Sequence, residues 1–84
     1  LAGRGKRNFW MKNTFMSLDI LFFSHEKILI SSHQNTVPFS VERLPSGNPA
    51  KYVVELRAGQ AQLRGLKLGS LLILSKELIS VLSR

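Results

Sequence analysis

Eighty-four residues, 44% of them hydrophobic and 20% charged, confine this chain to one globular domain at most, of a size where apolar burial only just offsets conformational entropy. The absence of Cys excludes disulfides, thiolate metal sites and cysteine nucleophiles, and no apolar run approaches the roughly 20 residues of a membrane-spanning helix. Twelve Lys plus Arg against five Asp plus Glu give a net charge of +7, which favours polyanions in general, yet the cations are scattered apart from Arg4-Gly5-Lys6-Arg7.

Residues 1–8, with two Gly, three cations and no periodicity, read as a flexible basic arm. Beside Phe9 and Trp10 such an arm could hold single-stranded nucleic acid through phosphate contacts and base stacking; the favoured reading is a solvated terminus that keeps a small domain soluble. No signal peptide is visible, and a start at Leu1 rather than Met leads us to expect an upstream segment that was removed or omitted.

The remainder, residues 9–84, is expected to form a single β-rich domain. The stretch from Phe9 to Phe23 dominates it, with the lone Trp, both Met and four of the five Phe. Phe9 to Thr14 alternates as a strand would, Phe9, Met11 and Asn13 on one face and Trp10, Lys12 and Thr14 on the other. Leu18 to Phe23 is nearly all apolar, as expected of a strand covered on both faces. The polar break Ser24-His25-Glu26-Lys27 followed by the β-branched run Ile28 to Ser32 predicts a β-hairpin. His33 to Asn48 reads as the longest irregular stretch, punctuated by Pro38, Pro45 and Gly47, with a short edge segment over Val37–Val41.

Ala50 to Leu56 alternates again: Tyr52, Val54 and Leu56 face one way, Lys51, Val53 and Glu55 the other. Ala58 to Gly65 has helical spacing for about two turns, with Gly65 where a C-terminal cap is favoured. Gly69 opens an apolar strand, Ser70 to Leu74. Ser75 then has the character of an N-cap for a last helix with Leu78, Ile79 and Leu82 as its apolar stripe.

Among residues able to carry chemistry, Asp19 comes first, since a carboxylate within Leu-Asp-Ile-Leu-Phe-Phe costs several kcal/mol to bury unless donors surround it. Lys12, Asn13, Thr14 or a turn backbone could supply them. Its favoured reading is a buried anchor tying the Trp10–Thr14 segment to the hairpin, against an acid or ligand group in a pocket. Glu55 has the same setting, and the two could face each other as an acid/base pair; a solvent-facing Glu55 paired with Lys12, Lys51 or Arg57 is the commoner arrangement. His25 and His33 lie at a turn and a strand end without metal-ligand spacing, and read as solvated. Neither a G-x-S-x-G elbow nor a phosphate-cradling glycine loop occurs. Trp10 and Met11 could line a pocket or groove, but core is the first reading for so small a chain.

The strings Phe9-Trp10-Met11-Lys12-Asn13-Thr14, Leu18-Asp19-Ile20-Leu21-Phe22, Tyr52-Val53-Val54-Glu55-Leu56, Ala58-Gly59 and Gly65-Leu66-Lys67-Leu68-Gly69 resemble, in order and spacing, the bacterial and archaeal domain of unknown function 192 family. The resemblance runs from residue 9 to about 74. It implies a compact, mainly β domain with short helices and no agreed activity, whose members occur in the cytosol and behind export or lipoprotein signals. The family pattern carries over to Trp10, Met11, Asn13, Thr14, Asp19, Glu55, Gly59 and Gly69. The chain departs from it at Ser17, where the family has Pro, at His25-Glu26-Lys27, where Asp-Gly is common, and at Ser70, where an acid is common. The family's usual N-terminal strand, Arg-containing helical Gly-Leu-Met segment and Gly-Met-Leu-Phe strand are not matched, so the chain resembles the C-terminal two-thirds of the domain. Apolar surface that those elements would cover is expected to be exposed or repacked.

These readings combine into a mainly β, β-rich α+β domain, a small barrel-like or sandwich-like mixed sheet with one or two short helices. Its expected function is non-catalytic binding of a small molecule or protein near Trp10, Met11, Lys12, Asn13, Thr14, Asp19 and Glu55, without cofactor or metal. The alternatives are nucleic-acid binding through the basic arm and aromatics, and hydrolysis by Asp19 with Glu55.

Overall fold

Leu18–Phe23 is apolar at every position but Asp19, and the computed structural model, which describes residues 8–72, puts this strand at the centre of an open three-stranded antiparallel sheet. In chain order the elements are β1 (Asn8–Phe9), β2 (Leu18–Phe23), β3 (Leu29–His33), β4 (Leu44–Pro45), β5 (Tyr52–Arg57) and α1 (Gln60–Leu63). The sheet order is β3-β2-β5, and β1 pairs with β4 as a separate two-stranded ribbon. The mainly β expectation therefore holds among the described residues, with an open, wholly antiparallel sheet rather than a barrel-like or mixed one. The basic arm at 1–7, the last two residues of the strand expected over Ser70–Leu74 and the C-terminal helix lie outside the described residues; within 70–72 no strand forms, and Leu71 makes only an isolated bridge to Ile28.

Both faces of β2 are covered, as its composition predicts. Ile20 and Phe22 pack with Phe9, Met11, Ala50 and Val53 on one side. Leu21 and Phe23 pack with Leu29, Val54, Ala61 and Leu72 on the other. Alternation along β5 feeds both layers, because Val53 sits opposite Phe22 and Val54 opposite Leu21. The β1–β4 ribbon closes the first layer, with Phe9 edge-on to Phe22 at 5.6 Å between ring centroids.

The hairpin forms as expected. Lys27 N–H donates to the Ser24 carbonyl (2.8 Å) and Ser24 N–H to the Ile28 carbonyl (2.9 Å). Lys27 takes the left-handed conformation (φ 66°) that follows such a turn. Ile28 itself leaves the strand and bridges Leu71. β3 then carries an irregularity opposite Phe22/Phe23, which turns Leu29 toward the second layer and Ser31 toward the first.

Four expectations need correction. The strand expected over Phe9–Thr14 stops at Phe9, because Thr14 N–H donates to the Met11 carbonyl (3.0 Å) and turns the chain at Lys12-Asn13. Leu44–Pro45, expected to be irregular, is strand β4; Pro45 lacks a donor, which a two-residue edge pairing tolerates. Val37–Val41 is not a strand, and Phe39 there has φ 62°. The helix has one turn instead of two. It ends at a left-handed Gly65 (φ 69°) whose N–H donates to the Gln62 carbonyl (3.0 Å), while Leu66 N–H reaches the Ala61 carbonyl (2.9 Å), the paired bonds of a Schellman cap.

Candidate functional site

The family-like signature Trp10–Thr14 does not extend the sheet but forms one half of an irregular antiparallel ribbon. Beyond the β1–β4 pairing, residues 10–18 run alongside residues 36–43. Met11 N–H donates to the Ser40 carbonyl (3.1 Å) and Phe39 N–H to the Thr14 carbonyl (2.9 Å). Further along, Ser17 Oγ donates to the Thr36 carbonyl (2.6 Å), Leu18 N–H to Thr36 Oγ1 (3.0 Å) and Thr36 N–H to the Leu18 carbonyl (3.0 Å). Buried Met11 pins this ribbon to the first core layer. A cleft of about 360 Å³ opens beside it, lined among others by Met11, His33, Asn35, Thr36, Ser40 and Glu42.

Trp10 is 39% exposed, and its ring carries two cations, Lys12 Nζ at 5.2 Å and Arg43 Cζ at 4.6 Å from the centroid. Neither cation enters an ion pair among the described residues. The same two loops expose Phe15 (74%), Val37 (67%), Phe39 (61%) and Val41 (66%), with Met16 less open. Large apolar side chains are also exposed at Leu63, Leu68 and Leu71, but among the described residues only these two loops combine them with an aromatic ring that holds two cations.

Asp19 is completely buried. Its Oδ1 accepts the backbone N–H of Asn35 and its Oδ2 that of Ala61, both at 2.9 Å. The carboxylate is thus an anchor, but it ties the exit of β3 to the first turn of α1 and not to the Trp10–Thr14 segment; neither Lys12, Asn13 nor Thr14 supplies its donors. A short helix opened by left-handed Gly59 (φ 91°), which has no capping side chain of its own, receives a remote one. Glu55 is half-buried on β5, opposite Ile20, whereas Asp19 lies opposite Leu56. These are successive positions on paired strands, so the two carboxylates lie on opposite faces of the sheet and do not form an acid/base pair. His33, expected to be solvated, packs edge-on against Phe22 (6.0 Å) and donates from Nε2 to the Pro45 carbonyl (2.7 Å). His25 Nδ1 lies 3.0 Å from Glu26 Oε1 at the hairpin tip. Among the described residues no group of three or more His, Asp or Glu converges as a metal site, and no helix is long and apolar enough to cross a membrane.

The structure therefore gathers Trp10, Met11, Lys12, Asn13 and Thr14 on the ribbon, leaves Asp19 beneath the fold's centre, and puts Glu55 elsewhere. Sequence reasoning missed Arg43 as a neighbour of Trp10, and missed Phe15, Met16 and the Val37-Phe39-Val41 set as exposed residues of the same two loops. The available signal was apolar residues at every second position in a proline-punctuated stretch where a loop should be polar. A second, apolar cavity of about 200 Å³ lies on the other face of the sheet, between Leu21, Phe23, Val54, Leu56, Leu66 and Leu72.

Fold and ribbon together define a small β-rich domain built on a three-stranded antiparallel sheet with a signature loop lashed across one layer. The chain belongs to the domain of unknown function 192 family (DUF192, "Uncharacterized ACR"), whose model matches residues 2–74. No protein of curated function matches it. Among solved structures it is similar to a Sinorhizobium meliloti protein described as "a putative transcription regulator", at 36% identity and a TM-score of 0.77 over 80% of this chain and 52% of that one. It is also similar to a protein of unknown function from Novosphingobium aromaticivorans, at 33% identity and a TM-score of 0.76 over 79% of this chain and 47% of that one. The chain thus spans about half the length of these solved relatives.

Proposed function

We propose that this chain is a non-catalytic binding domain and that the ribbon of residues 10–18 and 36–43 is its binding surface. The observation that carries this reading is the exposure of Phe15, Val37, Phe39 and Val41 on two hydrogen-bonded loops that also bear a half-exposed Trp10 holding Lys12 and Arg43. Backbone strain supports it. Phe39 keeps a left-handed φ of 62°, uncommon for a bulky side chain, in a loop that the Met11–Ser40 and Phe39–Thr14 hydrogen bonds hold in place. Gly, Asn or Asp would occupy such a position at lower cost, so an exposed aromatic ring there is explained better by what it meets outside the molecule than by the turn itself.

Amide chemical shifts of the isotope-labelled chain, titrated with panels of metabolites, oligonucleotides, peptides and vesicles, test the reading. Shifts confined to residues 10–18 and 36–43 are expected for at least one class. If every class leaves these amides unmoved, the ribbon is not a binding surface.

A second reading, nucleic-acid binding, draws on Lys12 and Arg43 at Trp10, on the Arg4-Gly5-Lys6-Arg7 cluster and on the description of the Sinorhizobium relative. It predicts affinity that falls steeply with salt and disappears when residues 1–7 are deleted, measured by retention on single- and double-stranded DNA and RNA. Catalysis by Asp19 with Glu55 is not proposed, since the strand register separates them.

A further inference from the structure

Taking the ribbon as the binding surface, we propose that its partner is an anionic lipid bilayer, with Phe15, Met16, Val37, Phe39 and Val41 entering the hydrocarbon boundary and Lys12 and Arg43 resting among the headgroups. The composition of the exposed set argues for lipid over nucleic acid. Val37, Met16 and Val41 have no planar face on which a base can stack, whereas their transfer out of water into an apolar medium is favourable. Trp10 points the same way. An amphipathic indole beside two long cationic side chains is the combination that the water–hydrocarbon boundary selects, the ring lying at the boundary while the charges stay in the aqueous layer. A ring already carrying Lys12 and Arg43 also offers less free surface to a base.

Charge supplies the preference for anionic lipid. Lys12 and Arg43 have no ion-pair partner among the described residues, and both lie within 5.2 Å of the Trp10 ring centroid, which fixes two positive charges on the loops that carry the apolar set. Glu42, the one acidic residue in either loop, lines the adjoining cleft. The chain as a whole carries +7. Each cation brought near an anionic leaflet strengthens attachment about fivefold.

The test uses the full chain with vesicles of phosphatidylcholine alone and of phosphatidylcholine with about one-third phosphatidylglycerol. The expected result is co-sedimentation with the anionic vesicles, a blue shift of Trp10 emission, weakening by salt, and little attachment to the neutral vesicles. Lys12→Gln with Arg43→Gln should lower partitioning roughly 25-fold. Phe15→Ser should weaken it on anionic vesicles by about tenfold. Phe39→Gly is the most discriminating variant, because it removes the inserting ring and relieves the left-handed strain: attachment should fall while the melting temperature does not. No Trp10 shift with anionic vesicles at low salt overturns the proposal, and so does attachment indifferent to both phenylalanine variants. If ribbon amides respond instead to an oligonucleotide or an acidic peptide and not to vesicles, the ribbon stands as a binding surface and the lipid assignment falls.

Discussion

Asp19 is the residue on which local and global structure meet, because one carboxylate satisfies two backbone donors from segments 16 and 42 residues away in the chain. Removing it leaves the Asn35 and Ala61 N–H groups without their charged acceptor. Hydrogen bonds to charged groups contribute about 1.5–3 kcal/mol each, so Asp19→Ala should cost roughly 3–5 kcal/mol in urea unfolding. Asp19→Asn, which sets an amide NH₂ against one of those donors, should cost about 2 kcal/mol, a change within the same mechanism. Equal stability of wild type and Asp19→Ala would show that the carboxylate is not the anchor. That Asp19 would be buried and need donors was legible in the string Leu-Asp-Ile-Leu-Phe-Phe. Which donors it would find was not, since they lie in a loop and a helix start that only tertiary closure brings beneath β2.

At the scale of elements, the hairpin shows what the sequence can and cannot carry. The polar break between two apolar runs marks Ser24–Lys27 as the turn, and the turn's bonding then requires a left-handed residue at Lys27 (φ 66°). A side chain there costs about 1 kcal/mol relative to glycine. Lys27→Gly should therefore raise the melting temperature by about 4–8 °C, as read by calorimetry. An unchanged or lower value would mean that the lysine makes a compensating contact. β2, β5 and the short helix were legible because each carries its own signal: a doubly covered apolar run, a two-residue alternation, and a glycine-capped helical period. β1 with β4 was not. Two residues on each side carry no periodicity, and the pairing of Phe9 with Leu44 follows from closing the first core layer, not from anything local. The alternation in Phe9–Thr14 was a genuine pattern with another cause: Met11 points inward to pin a ribbon, and the chain turns immediately after it.

At the scale of the whole molecule, 84 residues confer a total stability of only about 4–13 kcal/mol. Phe22, fully buried and in contact with the rings of Phe9 and His33, joins the sheet to the β1–β4 ribbon. Phe22→Ala should cost about 3–5 kcal/mol, enough to consume much of that margin. Loss of amide dispersion in the spectrum of the variant at 25 °C or slightly above is the expected sign; a native-like spectrum with an unchanged melting temperature would place the fold's weight elsewhere.

The position of β2 between two apolar layers also sets how the molecule opens. Its backbone donors and acceptors are engaged by β3 on one edge and β5 on the other, and because each of those strands contributes to both apolar layers, detaching either one opens both layers together. Their amide hydrogens should exchange with solvent deuterium at the free energy of global unfolding, as a single cooperative unit. The ribbon, held largely by single cross-links such as Met11 to Ser40 and Phe39 to Thr14, can release them one at a time while the sheet stays closed. Exchange should thus fall into two classes, a slow β2 with its partners and a fast loop pair. The loops can then change shape while the centre of the molecule keeps its stability.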